Sequence, residues 1–371
     1  MSISYVIGKN IKSLMETQNI SKRKLSEAIG ITHPTLTKYV EGSQPIDSDK
    51  LMQIALFFHM PFDYFFKEEH KEIHFLFRAD KPKEQSDTLN FEHFETHIIH
   101  YLDVMGDEDF HYLPPKYTVR TTDKEELKDA IRKIAWDQRV CAKIDYVVPD
   151  NYYEVVQNMG INVIVKDLKN NACFGASSIS EEYGSYILIN DSDAITEERK
   201  IFSLFHEYAH LLFHSHQYNN QEYDAYYKNG RSNPEEKIAN QFAGYFLMPL
   251  PMVDEYLQSR DGKKIDVMEM KKYFKVSLQT LAVVLHEYGY ISEQKYKEFW
   301  QHTKKADEPS PLGKINLQEK NRKLIEKIKH LYLQDDISAN KISEVLGIDA
   351  MMTRNLLKEW RNMDERYLPF K

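Results

Sequence analysis

Apolar residues among the first 67 residues recur at helical spacing, which predicts a bundle of short helices. The first helix carries its apolar stripe at Val6, Ile7, Ile11, Leu14 and Met15. A second helix is expected to begin after Ser21, whose hydroxyl can cap it, and to end at Gly30, because glycine adopts the left-handed conformation without strain. Thr32 and Pro34 suit the start of a third helix. The pattern therefore predicts a helix, a tight turn and a helix.

The third helix has one apolar face and one polar face. Leu36, Tyr39 and Val40 are expected to face inward, which leaves Thr35, Thr37 and Lys38 on the outer face. Short polar and basic side chains on such a face suit the major groove of DNA.

The run G-I-T-x-x-T-L-T-K-Y-x-E-G at residues 30–42 resembles the XRE-type (lambda-repressor/Cro-like) helix-turn-helix family. The resemblance implies that the segment binds operator DNA as a dimer. We expect the DNA contacts at Thr32, Thr35, Thr37 and Lys38. A helical bundle used only for dimerisation is the alternative.

Residues 68–122 are predicted to be a linker and helical connector, because the stretch FRADKPKEQSD is polar and contains a proline, and residues 91–104 have a helical pattern. His93, His97 and His100 recur at i, i+4 and i+7 on one predicted helix. Such a stripe can bind a metal, but a solvated or partly packed face is the simpler interpretation.

The next segment alternates helical and strand patterns. Helices are predicted at 123–145 and 150–160, and β-rich strands at 161–168 and 183–191. A short sheet should therefore precede the long apolar helix at 196–213.

That long helix contains His206, Glu207 and His210 in the pattern H-E-x-x-H. Residues four apart lie one turn apart on the same helix face, so both histidines can reach one tetrahedral zinc ion. Glu207 is then placed to accept a proton from a water that attacks a carbonyl group.

A catalytic zinc site needs a third ligand, and the downstream helix offers Glu236. Glu236 shares its face with Ala239, Asn240 and Ala243, whose small alanines allow close approach to the histidine helix. Glu235 is the rival ligand, but it lies off that face. A structural zinc, or the motif without a metal, remains the alternative.

The run HEYAHLLFH, the strand before it and the later E-x-x-A-N-x-F-A-x-x-x-L-M-P resemble the ImmA/IrrE family of zinc metallopeptidases over roughly residues 120–300. The resemblance implies that His206, His210 and Glu236 bind Zn²⁺ and that Glu207 is the general base. It also implies cleavage of a protein partner, such as a repressor, in a stress response. His214 matches the family pattern and is expected to orient substrate, to stabilise an oxyanion or simply to pack.

The C-terminal segment repeats the N-terminal pattern. Residues 337–358 match residues 20–41 at seven of 22 positions, including the turn glycine. This segment is predicted to form a second helix-turn-helix unit after a polar linker at 303–316. Arg354 and Asn355 can contact DNA there, but a dimerisation role fits the pattern equally well.

Composition and charge narrow the class of protein. With 42% hydrophobic and 29% charged residues, the 371-residue chain is neither collagen-like nor largely disordered. Cys141 and Cys173 are distant and form no C-x-x-C motif, which favours a reducing cytoplasm. We found no apolar run long enough for a membrane span and no apolar leader, so the predicted location is cytoplasmic.

The net charge of −8 is unevenly distributed along the chain. Residues 1–67 carry +2 and residues 312–371 carry +3, whereas residues 68–311 carry −13. Phosphate contact requires local positive charge, so any DNA contact is expected at the two ends.

These patterns predict an α+β, predominantly helical protein. The expected parts are a helix-turn-helix domain (1–67), a connector (68–122), a zincin-like peptidase domain with a small sheet (123–302), a linker (303–316) and a helix-turn-helix-like bundle (317–371).

The predicted function is a cytoplasmic, DNA-binding transcriptional regulator with a zinc metallopeptidase module. Its expected partners are an operator duplex, a protein substrate and a second copy of the chain, with no membrane. One alternative is a non-proteolytic regulator whose zinc pocket is structural or senses a ligand. Another is a protease whose helix-turn-helix units recognise protein substrates.

Overall fold

In the computed structural model, the chain folds into two compact units. The first unit comprises Met1–Glu72 and Leu89–Thr96, and the second comprises Ile73–Thr88 and His97–Lys371. The structure describes residues 2–17, 20–58, 60, 62–66, 75–77, 97–106, 112–119, 121–168, 174–181, 183–215, 234–260, 266–303 and 310–363. His93 and Cys173 lie outside these residues.

The first unit is a helical bundle, as predicted. It contains α1 (Ile3–Thr17), α2 (Lys22–Ala28), α3 (His33–Val40), α4 (Ser48–Phe58) and the 3₁₀ helix η1 (Phe62–Phe66).

The turn between α2 and α3 has the predicted chemistry. The Ser21 hydroxyl accepts the backbone N–H of Lys24 at 3.2 Å, and Thr32 accepts that of Thr35 at 3.4 Å. Gly30 lies in the left-handed region at φ +65°. Helix α3 packs on α1 so closely that a Cβ at Gly8 would lie 2.5 Å from the carbonyl oxygen of Tyr39.

The second unit contains a four-stranded sheet in the order β1-β3-β4-β2. Its strands are β1 (Phe75–Phe77), β2 (Asn162–Lys166), β3 (Gly175–Ser180) and β4 (Gly184–Asn190). Strand β3 pairs antiparallel with both β1 and β4, and β2 pairs parallel with β4.

Strand β3 was not predicted from the sequence. Its residues, GASSIS, combine glycine, alanine and serine, which carry little strand propensity. The first four of them are buried, and the antiparallel pairing with β4 runs their full length. Tertiary contacts therefore impose the strand conformation on a weak local pattern.

The helices before and around the motif are α5, described at 97–105, α6 (Lys124–Cys141), α7 (Tyr152–Asn158), α8 (Glu197–Phe213) and α9 (Pro234–Leu247). Helix α8 begins after Thr196, whose hydroxyl accepts the N–H of Arg199 at 3.3 Å. It contacts β3 and β4 of the sheet as well as α9, so nearly all of its residues are buried.

The chain continues through α10 (Leu250–Gln258), α11 (Val267–Phe274), α12 (Leu278–Glu287), α13 (Glu293–Thr303), α14 (Leu317–Lys320), α15 (Arg322–Leu333), α16 (Ala339–Leu346) and α17 (Ala350–Met363). Among the described residues, none of the helices has the length and hydropathy that a membrane span requires.

The residues that follow the polar linker are anchored on β2. The side-chain amide of Asn321 donates to the carbonyl of Val165 at 2.9 Å, while its oxygen accepts the Val165 N–H at 2.8 Å. Because β2 is the last strand in the sheet order, this pair satisfies backbone groups that a further strand would otherwise bind.

The neighbouring Lys320 enters a buried group of charges at the start of α8. Its Nζ lies 2.5 Å from Asp191 and 2.6 Å from Glu197, and Lys200 contacts the same two carboxylates. Two cations and two anions therefore balance in a site with almost no solvent access. Removing one member would leave a buried charge without compensation.

We expect Lys320→Met to lower the free energy of unfolding by about 3 kcal/mol, because it leaves an excess buried carboxylate. Urea denaturation checks this value. The control is Lys314→Met, which removes an exposed pair with Asp193 and should cost less than about 1 kcal/mol. Equal losses in both variants would contradict a specific role for the buried group.

Candidate metal centre and DNA-binding helix

The strongest candidate site lies where α8 meets α9. The Nε2 atoms of His206 and His210 are 2.9 Å apart. The Glu236 carboxylate lies 3.4 Å from His206 Nε2 and 3.3 Å from His210 Nε2. The structure thus brings together the three residues that the sequence predicts as metal ligands.

The separations fit a tetrahedral metal. Ligand atoms about 2.0–2.1 Å from a zinc ion are roughly 3.3 Å from one another. The two histidine–glutamate distances match this edge length, and the histidine pair lies slightly closer. Two imidazoles and one carboxylate also form a donor set that catalytic zinc sites use.

Each histidine is held through its second ring nitrogen. His206 Nδ1 lies 3.1 Å from Asn240 Oδ1, an oxygen that can only accept, so Nδ1 donates there and the ring is held with Nε2 facing Glu236. His210 Nδ1 lies 2.8 Å from His214 Nδ1. The contact places His214 beside a ligand, where it orients the His210 ring.

Glu207 is buried on the β3 side of α8. The Ser177 hydroxyl donates to Glu207 Oε2 at 2.8 Å. A Cβ at Gly175 would lie 3.2 Å from Glu207 Cγ, so the small residue permits the strand to approach the helix. Nothing in the local sequence pattern singles out Ser177, because its role depends on the pairing of β3.

Glu236 is the most accessible member of the centre, with 32% of its side chain exposed, while both histidines are buried. Burial raises the pKa of the Glu236 carboxyl. The hydrogen bonds and charges of His206 and His210 act in the other direction and prevail, so the pKa lies well below its ordinary value. The carboxylate is therefore ionised, as a metal ligand must be.

Within the described part of the chain, His206, His210 and Glu236 form the group whose ligand atoms lie within 4.8 Å of one another. Glu235 is not part of it. His97 and His100 have other contacts, His97 Nδ1 with Lys166 at 3.2 Å and His100 Nε2 with Glu344 at 3.3 Å. His97 and His100 therefore belong to a partly packed face, while His93 lies outside the described residues.

The candidate DNA-binding helix presents most, but not all, of its predicted residues. Thr32 and Lys38 are exposed, and Thr35 is half-buried beside Thr32. Thr37 is half-buried like Thr35, but its hydroxyl oxygen is buried, so a DNA contact by Thr37 stays a prediction. At about 100° per residue, Thr37 lies only some 60° from Val40, at the margin of the buried stripe.

Two family models match this chain. Residues 11–65 match the helix-turn-helix model, and residues 156–286 match the IrrE N-terminal-like domain. The chain therefore combines an XRE-type helix-turn-helix segment with an IrrE-like, peptidase-family domain that contains both α8 and α9.

Similar curated proteins support the helix-turn-helix assignment. The HTH-type transcriptional regulator y4aM of Sinorhizobium fredii is 31% identical over 67 residues, which is 18% of this chain and 47% of that protein. The HTH-type transcriptional regulator y4wC of the same organism is 33% identical over 67 residues, which is again 18% of this chain and 47% of that protein. The chain thus spans about half the length of the curated relatives it matches. No solved structure gives a significant match.

Zinc content tests the centre directly. We expect about one zinc per chain in the wild-type protein and much less in Glu236→Ala, because the mutant loses one of three protein ligands. Elemental analysis of protein purified without chelators measures both.

Glu235→Gln is the matched control and should retain the metal. Loss of zinc in this control alone would show that the rival carboxylate is the ligand.

Proposed function

We propose that the protein is a cytoplasmic, DNA-binding transcriptional regulator that hydrolyses a peptide bond of a protein partner. The observation that carries the peptidase proposal is the convergence of His206, His210 and Glu236, with Glu207 adjacent on the same helix. The match of residues 156–286 to a peptidase-family domain supports the same reaction class.

In this proposal, His206, His210 and Glu236 hold a zinc ion. When bound there, zinc supplies a Lewis acid that polarises a carbonyl group and makes water a stronger acid. Of the three residues that would hold the ion, Glu236 is the most exposed, with 32% of its side chain accessible to solvent.

The other residues of the centre handle the proton and fix the geometry. Glu207 accepts a proton from the attacking water and later returns it to the leaving amine. The hydrogen bond from Ser177 holds one carboxylate oxygen of Glu207 in place. Asn240 and His214 orient the two imidazole rings.

The regulatory part of the proposal rests on the first unit. A helix-turn-helix places its second helix in the major groove, with residues near its start contacting base edges. Here Thr32, Thr35 and Lys38 lie at the accessible side of α3. We propose that two copies bind a two-fold operator, and that the cleaved partner is another regulatory protein.

Glu207→Gln separates catalysis from metal binding. We expect the variant to keep its zinc but to cleave roughly 10²–10⁴-fold more slowly, because it lacks the proton acceptor. The measurement is the appearance of new protein N-termini after incubation with an extract of the source cells.

Glu236→Ala serves as the metal-free comparison and should also be inactive. New termini formed equally by wild type and Glu207→Gln would contradict the assignment of the general base. Zinc binding without any cleavage would instead favour the non-proteolytic regulator.

DNA recognition by α3 has its own test. A site selected from random duplexes by the full-length wild-type protein provides the probe. We expect Thr35→Ala/Lys38→Ala to weaken binding to it by about 2 kcal/mol, roughly 30-fold, as base and phosphate contacts are lost.

Lys12→Ala is the control, since it removes an exposed charge that pairs with Glu16 on α1. If both variants bind as the wild type does, α3 is not the reading helix.

A further inference from the structure

The C-terminal repeat forms a second helix pair with the same local design as the α2–α3 pair. The Ser338 hydroxyl accepts the N–H of Lys341 at 3.2 Å, as Ser21 does for Lys24. Gly347 follows α16 in the left-handed conformation at φ +64°, as Gly30 follows α2. Neither the proposed cleavage nor the proposed reading by α3 uses this pair.

Helix α17 has one buried face and one exposed face. Leu356, Leu357 and Trp360 are buried, and they lie on the same side as α16. Four exposed residues recur at i, i+3, i+4 and i+7, so they share the opposite face: Met351, Arg354, Asn355 and Lys358. Glu359 is exposed too, and it borders this face, because it lies about 40° around the helix from Asn355.

Three lysines of this C-terminal segment contact the rest of the second unit. Lys320 contacts Asp191, Lys323 donates to the carbonyl of Gln157, and Lys341 lies near Asp103.

Arg354 and Lys358 lie together on the exposed face of α17, and neither makes an ion pair or hydrogen bond with any residue that the structure describes. The exposed face of α17 thus carries these two cations and one bordering acid, a net positive charge in a chain whose own net charge is −8. It is complementary to a polyanion.

We propose that α17 is a second binding element for duplex DNA. The α16–α17 pair repeats the cap and the glycine turn of the α2–α3 pair, and its exposed face has a charge that suits phosphate contacts. Arginine and asparagine are also the side chains that pair with guanine and adenine edges, and an apolar side chain such as Met351 can contact a thymine methyl group. One chain would then carry two DNA-binding helices, α3 and α17.

The test measures binding of the full-length protein to a fluorescein-labelled, mixed-sequence 30-bp duplex by anisotropy over a range of salt concentrations. Each lost phosphate contact reduces the slope of log Kobs against log salt by about 0.9. We expect Arg354→Gln/Lys358→Gln to lower affinity and to reduce the slope by about 1.8. Asn355→Asp, which adds a negative charge to the same face, should also weaken binding.

Lys124→Gln/Lys133→Gln is the matched control, because it removes two exposed lysines from α6 and should leave the slope unchanged. A slope for Arg354→Gln/Lys358→Gln equal to that of the control would overturn the proposal. So would a change of sedimentation coefficient without a change of slope, which would assign α17 to self-association. This test is separate from the proposal that α3 binds DNA. That proposal is tested by Thr35→Ala/Lys38→Ala with the duplex that the wild-type protein selects.

Discussion

The close contact between α8 and α9 is the constraint on which the candidate site depends. Ala239 and Ala243 are fully buried between the helices, and Phe205 stacks on Phe246 at 4.2 Å. A larger side chain at either alanine would separate the helices and move Glu236 away from both histidines. Buried Arg139 donates to the carbonyl of Phe246 at 2.8 Å and so fixes the end of α9. The ligand geometry is therefore a result of core packing.

The sheet supplies the other half of the site. Small residues make β3 a poor strand locally, but they allow it to lie against Glu207, where Gly175 leaves room and Ser177 donates a hydrogen bond. The residues of β3 therefore have low strand propensity at the place where the proposed chemistry requires β3 to lie close to Glu207. Buried charges hold the start of the same helix, since Lys200 and Lys320 neutralise Asp191 and Glu197. The contacts with β3 therefore position Glu207, whereas the buried ion pairs stabilise the start of α8.

The distribution of charge connects the peptidase-like centre with the proposed regulatory role. An acidic middle segment does not attract nucleic acid, whereas both ends of the chain carry net positive charge. In the C-terminal segment, Lys320 and Lys341 pair with acidic residues elsewhere in the second unit, whereas Arg354 and Lys358 lie on the exposed face of α17. Basic residues of the C-terminal segment therefore bind it to the rest of the second unit and, in our proposal, also bind DNA.

The sequence by itself determined the features that depend on local periodicity. The Ser21 cap, the Gly30 turn, the histidines four apart and the small-residue face next to Glu236 all lie within one or two helical turns. Only the tertiary structure decided the features whose partners are distant in the chain. Ser177 meets Glu207 because β3 pairs within the sheet, and Asn321 pairs with Val165 across 156 positions. Such contacts leave no local pattern, because their energy arises only when separate elements pack.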